Sequence, residues 1–177
     1  MEDTNMRTRI LLVSSSLFCA ALAFGQTEPK SAHATIVNAQ GQKIGSAALK
    51  STSKGVRISV RVSDLPAGTH AFHIHAAGSC EGPDFKSAGG HFNPEGKMHG
   101  TMNPAGSHAG DLPNFTVGAD GKAHFTVVAQ GVILGDGPNS LFHEGGTSLV
   151  IHEKADDYKT DPAGNAGARI ACGVIEK

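Results

Sequence analysis

His73 and His75 stand two residues apart in FHIH at 72–75. Residues two apart on a strand project from one face, so this pair offers two imidazoles to a single transition metal while Phe72 and Ile74 turn the other way. Further candidate ligands are His91 in GGHFNP, His99 in MHG, His108 and Asp111 in SHAGDLPN, and His152 at the end of SLVIH. An all-imidazole set suits copper, whereas three imidazoles and a carboxylate in a closed tetrahedron suit zinc. These seven side chains fill four positions around each of two metals only if one ligand is shared. A deprotonated imidazole can be shared, because each ring nitrogen can bind a metal. His70 has the opposite parity to His73 and is not automatically a ligand. His33, His124 and His143 read as ordinary solvated polar residues.

The elements that must position these ligands read as strands. In GVRISVRVS, Val56, Ile58, Val60 and Val62 alternate with Arg57, Ser59, Arg61 and Ser63, giving one apolar and one wet face. HATIVN and KIGSAALKS read as a strand pair around a turn at Gln40-Gly41, followed by the valine-rich strand and HAFHIH. Further strands are expected at 114–117, 122–129, 148–152 and 169–175, with ADG at 119–121 as a hairpin turn. The fold class is therefore all-β: an eight-stranded antiparallel Greek-key sandwich or barrel. Two long segments, 76–113 and 153–167, do not fit strands. They hold most of the polar candidates and read as functional loops.

The length, 177 residues, suits one domain, and the formal net charge of −1 gives no sign of a nucleic-acid partner. Arg7 and Arg9 precede an apolar run at 10–24, followed by small residues with cleavage options near Ala23 or Gly25. This reads as a signal peptide over 1–25, a short flexible linker over 26–31, and a domain over 32–177. The run is too short and serine-rich for a stable membrane span, so export is expected. Cys19 lies in a weak lipobox-like context, and lipid anchoring there is disfavoured. Export and cleavage leave two cysteines, Cys80 and Cys172, for which a disulfide is the default reading in an oxidising compartment.

Taken together, FHIH, GGHFNP, HGTMNPAGSHAGDLPN at 99–114, VIHEKADD and GNAGARIACGVI follow an order and spacing that closely resemble the copper/zinc superoxide dismutases, in a bacterial exported form. The resemblance spans nearly all of 32–177, and its bacterial form, seen in DLPNF and CEGPDFKSAGGHF, implies export to a bacterial periplasm or cell envelope. It implies one copper ion on His73, His75, His91 and His152, and one zinc ion on His91, His99, His108 and Asp111, with His91 as the bridge. It also implies that Asp156 orients His73 and His99, although pattern alone does not separate Asp156 from Asp157. Cys80 and Cys172 match the family's disulfide, and Arg169 matches an arginine that receives the superoxide anion. The implied reaction converts two superoxide radicals to dioxygen and hydrogen peroxide by alternating copper(II) and copper(I), with His91 and Arg169 as catalytic residues and zinc structural. Lys154 and Lys159 are candidates for a positive rim, offset locally by Asp156, Asp157 and Asp161. Ala71 and Ala76 depart from residues common in relatives. The rival readings are an exported copper carrier on the same fold, without dismutase activity, and a structural or adhesive sandwich module in which metals only brace the loops. A homodimer is allowed by the sequence and not required by it.

Overall fold

The computed structural model describes Met1 and residues 31–177. The expected signal peptide, its cleavage positions, Cys19 and residues 26–30 of the linker lie outside the described residues. Strands occupy β1 (Ser31–Asn38), β2 (Lys43–Thr52), β3 (Gly55–Val62), β4 (Gly68–His70), β5 (Phe72–His75), β6 (Phe115–Val117), β7 (Ala123–Ala129), β8 (Ser148–His152) and β9 (Arg169–Val174). The nine segments correspond to the eight expected ones, with HAFHIH divided at Ala71. β4 pairs with β6 in a small sheet, while β5 pairs with β8 in the large one. The break follows from hydrogen bonding: the Ala71 N–H donates to Lys154 O and its carbonyl accepts from His152 N, so Ala71 serves the metal-side loop.

The large sheet has the order β5-β8-β9-β1-β2-β3-β7 and is antiparallel at every pairing. It curls into a half-barrel. Phe72 on β5 and Phe125 on β7, at opposite ends of that order, meet edge to face at 5.3 Å, and Phe115 of β6 stacks on Phe125 at 4.3 Å. Alternation produces this core: Val56, Ile58, Val60 and Val62 are buried while Arg57 and Arg61 are exposed, as the pattern predicts. Leu49, Ile74 and Leu149 join the same apolar cluster.

On β5 the alternation has a different outcome. Phe72 and Ile74 enter the core, but His73 and His75 on the other face are also buried, at 0% and 1% exposure. The loops at 76–114 and 153–168 fold over that face and exclude water from it. A disulfide between Cys80 and Cys172 ties the first loop to β9. Beneath it, Phe85, Ala88, Val150 and Cys172 form a second apolar cluster. No helix among the described residues is long and apolar enough to cross a membrane.

Candidate metal centre

Two donor sets meet at His91. One consists of His73, His75, His91 and His152; the other of His91, His99, His108 and Asp111. Strands β5 and β8 supply His73, His75 and His152, and their pairing sets Val150 opposite His73. The loop after β5 supplies the remaining four. An isolated bridge joins His75 to His91, and another joins His73 to Asp111, which pins the loop against the strand. A Cβ at Gly110 would collide with the Ile74 carbonyl, so the close approach of loop and strand there requires glycine.

In the second set the donor atoms converge tightly. Asp111 Oδ1 lies 2.8 Å from His91 Nδ1, 3.0 Å from His99 Nδ1 and 3.2 Å from His108 Nδ1, and the Nδ1 atoms of His91 and His108 are 3.4 Å apart. Bonds of 2.0–2.1 Å in a tetrahedron give donor–donor edges of about 3.3 Å, so this spacing fits one small cation. Asp111 Oδ2 accepts from the N–H groups of Gly100 and His108, which fixes the carboxylate. Burial alone would raise the Asp111 carboxyl. The hydrogen bonds from His91 and Gly100 outweigh it and hold Asp111 well below the usual carboxylate range.

In the first set, three rings have one nitrogen already assigned. His73 donates through Nε2 to Asp156 Oδ2 at 2.8 Å, leaving Nδ1 buried without a partner. His75 donates through Nδ1 to the Gly89 carbonyl at 2.9 Å, leaving Nε2 facing His152 Nε2 at 3.4 Å. His91 commits Nδ1 to the Asp111 cluster, and its Nε2 is buried and unpartnered. Orphaned buried imidazole nitrogens are costly unless a cation engages them, so this set also fits a metal. Burial and the neighbouring His91 push His75 down to about 2, burial and His73 push His152 down to about 3, and burial, opposed by the Asp111 hydrogen bond, leaves His91 at about 4. All three are therefore neutral at pH 7, the form that ligates.

Asp156 links the two sets. It is buried, and while Oδ2 takes His73, Oδ1 lies 3.0 Å from His99 Nε2 and accepts the Tyr158 N–H. Asp157 is exposed and instead braces its own loop through Thr160, Lys159 and Asn165. Arg169 is half-buried, its Nη1 donating to Phe85 O at 2.7 Å and its Nη2 to Gly89 O at 2.6 Å. Lys154 and Lys159 are exposed, and Asp161 accepts the His99 N–H at 2.6 Å.

Some participants were not visible in the sequence. Asn114 clamps the Asp156 backbone from both sides, donating to its carbonyl at 2.9 Å and accepting its N–H at 2.9 Å. His70 is buried, with its ring nitrogens 2.8 Å from His152 O and 2.9 Å from Pro66 O, so it anchors the end of β8. Except for Pro66, four residues before His70, these partners are main-chain atoms far along the chain, and no spacing announces them. His143 is a correction. It is half-buried rather than simply solvated: its ring stacks on Phe92 at 5.3 Å and its Nε2 is buried, because the connection at 130–147 folds against GGHFNP. His33 and His124 are exposed, as expected.

A curled antiparallel β half-barrel carrying two donor sets that share one histidine defines a β-sandwich protein with two adjoining candidate metal sites. Residues 43–175 match the family described as copper/zinc superoxide dismutase (SODC). The chain is 53% identical over 161 residues to Superoxide dismutase (Cu-Zn) 1 of Aquifex aeolicus (strain VF5), covering 89% of this chain and 95% of the relative. It is 51% identical over 166 residues to Superoxide dismutase (Cu-Zn) 2 of the same organism, covering 93% and 96%. A crystal structure of a mutant of a SOD-like protein from Bacillus subtilis superposes with a TM-score of 0.79 at 47% identity, covering 82% of this chain and 97% of that one. The chain belongs to the copper/zinc superoxide dismutase family, and its two histidine-rich clusters are consistent with both metals.

Proposed function

We propose that the protein is an exported superoxide dismutase holding copper on His73, His75, His91 and His152, and zinc on His91, His99, His108 and Asp111. The observation that carries this reading is His91, one ring whose Nδ1 sits in the carboxylate-containing set and whose unpartnered Nε2 faces the all-imidazole set. Copper bound in that set would supply the one-electron couple by which one superoxide is oxidised to dioxygen and another, with two protons, is reduced to hydrogen peroxide.

The protein's own contribution is orientation, charge and exclusion of water. Asp156 fixes the tautomers of His73 and His99 together, so the two sets keep a common geometry. Gly89 O does the same for His75. Arg169 keeps a permanent positive charge beside the all-imidazole set, and carbonyl groups hold only part of its fork, leaving N–H donors for an arriving anion. The Nε2 atom of His91, when not engaged as a ligand, is placed to hold a proton. The Cys80–Cys172 disulfide supports maturation in an oxidising compartment, in keeping with export.

The test is superoxide decay followed by stopped flow on the chain loaded with copper and zinc, against the chain loaded with zinc alone. Fast, copper-dependent decay that slows as salt rises is expected. A second reading, a copper carrier, is raised by the solved relative described only as SOD-like. Full copper loading with no decay would establish that reading instead.

A further inference from the structure

The outward face of β1, β2, β3 and β7 takes no part in the metal centre, and its charges are arranged unfavourably for the isolated protein. Register sets Lys50 of β2 opposite Arg57 of β3, two like charges face to face, and Arg61 of β3 opposite His124 of β7, which offers it no counter-charge. Like charges at directly opposed positions destabilise a sheet. Relief would ordinarily come from an interleaved carboxylate, yet these four strands contain no Asp or Glu. Among the described residues, no ion pair neutralises Lys43, Lys50, Arg57 or Arg61. Glu176, at the rim, is taken by His33 at 3.6 Å. The whole chain carries a net charge of −1, so this face is a local excess of positive charge.

Between the cations the side chains are short and the surface is hollow. A cavity of about 580 Å³ is lined by Lys43, Ser46, Ala48, Ser59, Arg61 and His124, and another of about 360 Å³ by Ala48, Lys50, Arg57, Ser59 and Thr126. Ala48 and Ser59 belong to both, so the two hollows form one groove. Arg57 and Arg61 lie four residues apart on one strand, about 13 Å. The floor offers hydroxyls, with Ser59 Oγ and Thr126 Oγ1 3.1 Å apart.

We propose that this groove binds an acidic polysaccharide. Its uronate carboxylates pair with Lys50 and Arg57 at one end and with Lys43 and Arg61 at the other, while its sugar hydroxyls meet Ser46, Ser59 and Thr126. Among the described residues, carboxylates are the partners these cations lack, and arginine engages them through two parallel hydrogen bonds. A lipid surface fits less well, because Val128 is the one large apolar side chain exposed on these strands. Single-stranded nucleic acid is read by stacking on aromatic rings, and the groove lining has no Phe, Tyr or Trp.

The test uses the copper- and zinc-loaded full chain and isothermal titration with alginate oligosaccharide, a polyuronate, with neutral dextran, duplex DNA and phosphatidylglycerol vesicles as the comparison ligands. Binding to alginate alone is expected at low salt, weakened about tenfold when ionic strength is raised so that screening is strong. R57Q/R61Q and K50Q are each expected to weaken it, the double variant by about tenfold or more. Copper-dependent dismutation and the melting temperature measured beside them are expected to stay at or above wild type. K86Q, an exposed lysine already paired with Asp84, is expected to leave binding unchanged. Absence of alginate binding at low salt, binding that survives R57Q/R61Q, or equal or tighter binding of DNA or vesicles would each overturn the proposal.

Discussion

His75 and Arg169 share one acceptor, the Gly89 carbonyl oxygen, which takes His75 Nδ1 at 2.9 Å and Arg169 Nη2 at 2.6 Å. A candidate copper ligand and the candidate anion guide are thus held by the same backbone atom. Phe85 O takes the other arm of Arg169, and the fully buried Phe85 ring packs with Val150 and Cys172 beneath the disulfide. The position of the guanidinium therefore depends on how firmly the 76–114 loop is tied to β9.

Removing the Arg169 charge tests guidance directly. R169Q is expected to lower kcat/KM for superoxide by about tenfold or more and to flatten its dependence on ionic strength. R169K keeps the charge but not the two-carbonyl grip of the fork, and should fall between Gln and wild type. The measurement is stopped-flow decay across a salt series at equal copper loading. An unchanged salt slope in R169Q would remove Arg169 from the guiding role.

The disulfide closes a loop between positions 92 residues apart. Chain entropy for a loop of that length gives about 4–5 kcal/mol as an upper figure. C80S/C172S is therefore expected to melt at least several degrees below the oxidised parent, by calorimetry on the metal-loaded proteins. Activity per bound copper should also drop, because the loop carbonyls that grip Arg169 lose their tether. A melting temperature within a degree of the parent would show that the second apolar cluster alone holds the loop.

Asp156 and Gly164 form one device. Gly164 has φ +62°, and a Cβ there would strike Asp156 Oδ1 and stand 2.8 Å from His99 Nε2. D156N removes the carboxylate that orients both rings, and G164A displaces it without changing its chemistry. Both are expected to weaken zinc and copper binding by about 10–100-fold, read by chelator competition. If G164A binds both metals as tightly as wild type, the placement of Asp156 does not tune the site.

The depressed histidine values fix the sign of a pH effect on the metal-free protein. An unfolded histidine titrates near 6.5, whereas folded His91, His152 and His75 titrate at about 4, 3 and 2. Below pH 6.5 the unfolded chain binds protons that the folded chain does not. Stability is therefore fully present above about 6.5 and is lost as pH falls toward 4 and below, by up to about 1.4 kcal/mol per pH unit for each histidine. Thermal melts of the apoprotein at pH 7 and pH 5 check this, with the lower temperature expected at pH 5. Equal melting temperatures would show that these imidazoles are not buried without metal.

The sequence by itself determined the strands and the ligand inventory. Alternation at 56–62 and the FHIH pair are local periodic signals, and the strands they predict occur within a residue or two of the expected limits. The spaced motifs also identified the family and the seven side chains of the two donor sets that meet at His91. The tertiary structure decided the rest. It buried both faces of β5, divided HAFHIH at Ala71, separated the buried Asp156 from the exposed Asp157, and stacked a half-buried His143 on Phe92. It also placed Asn114, His70 and the Gly89 carbonyl around the ligands. The physical reason is the range of the interactions. Periodicity and residue type act over a few residues, but a hydrogen bond to a main-chain atom, or burial under a loop, depends on where segments tens of residues apart are packed.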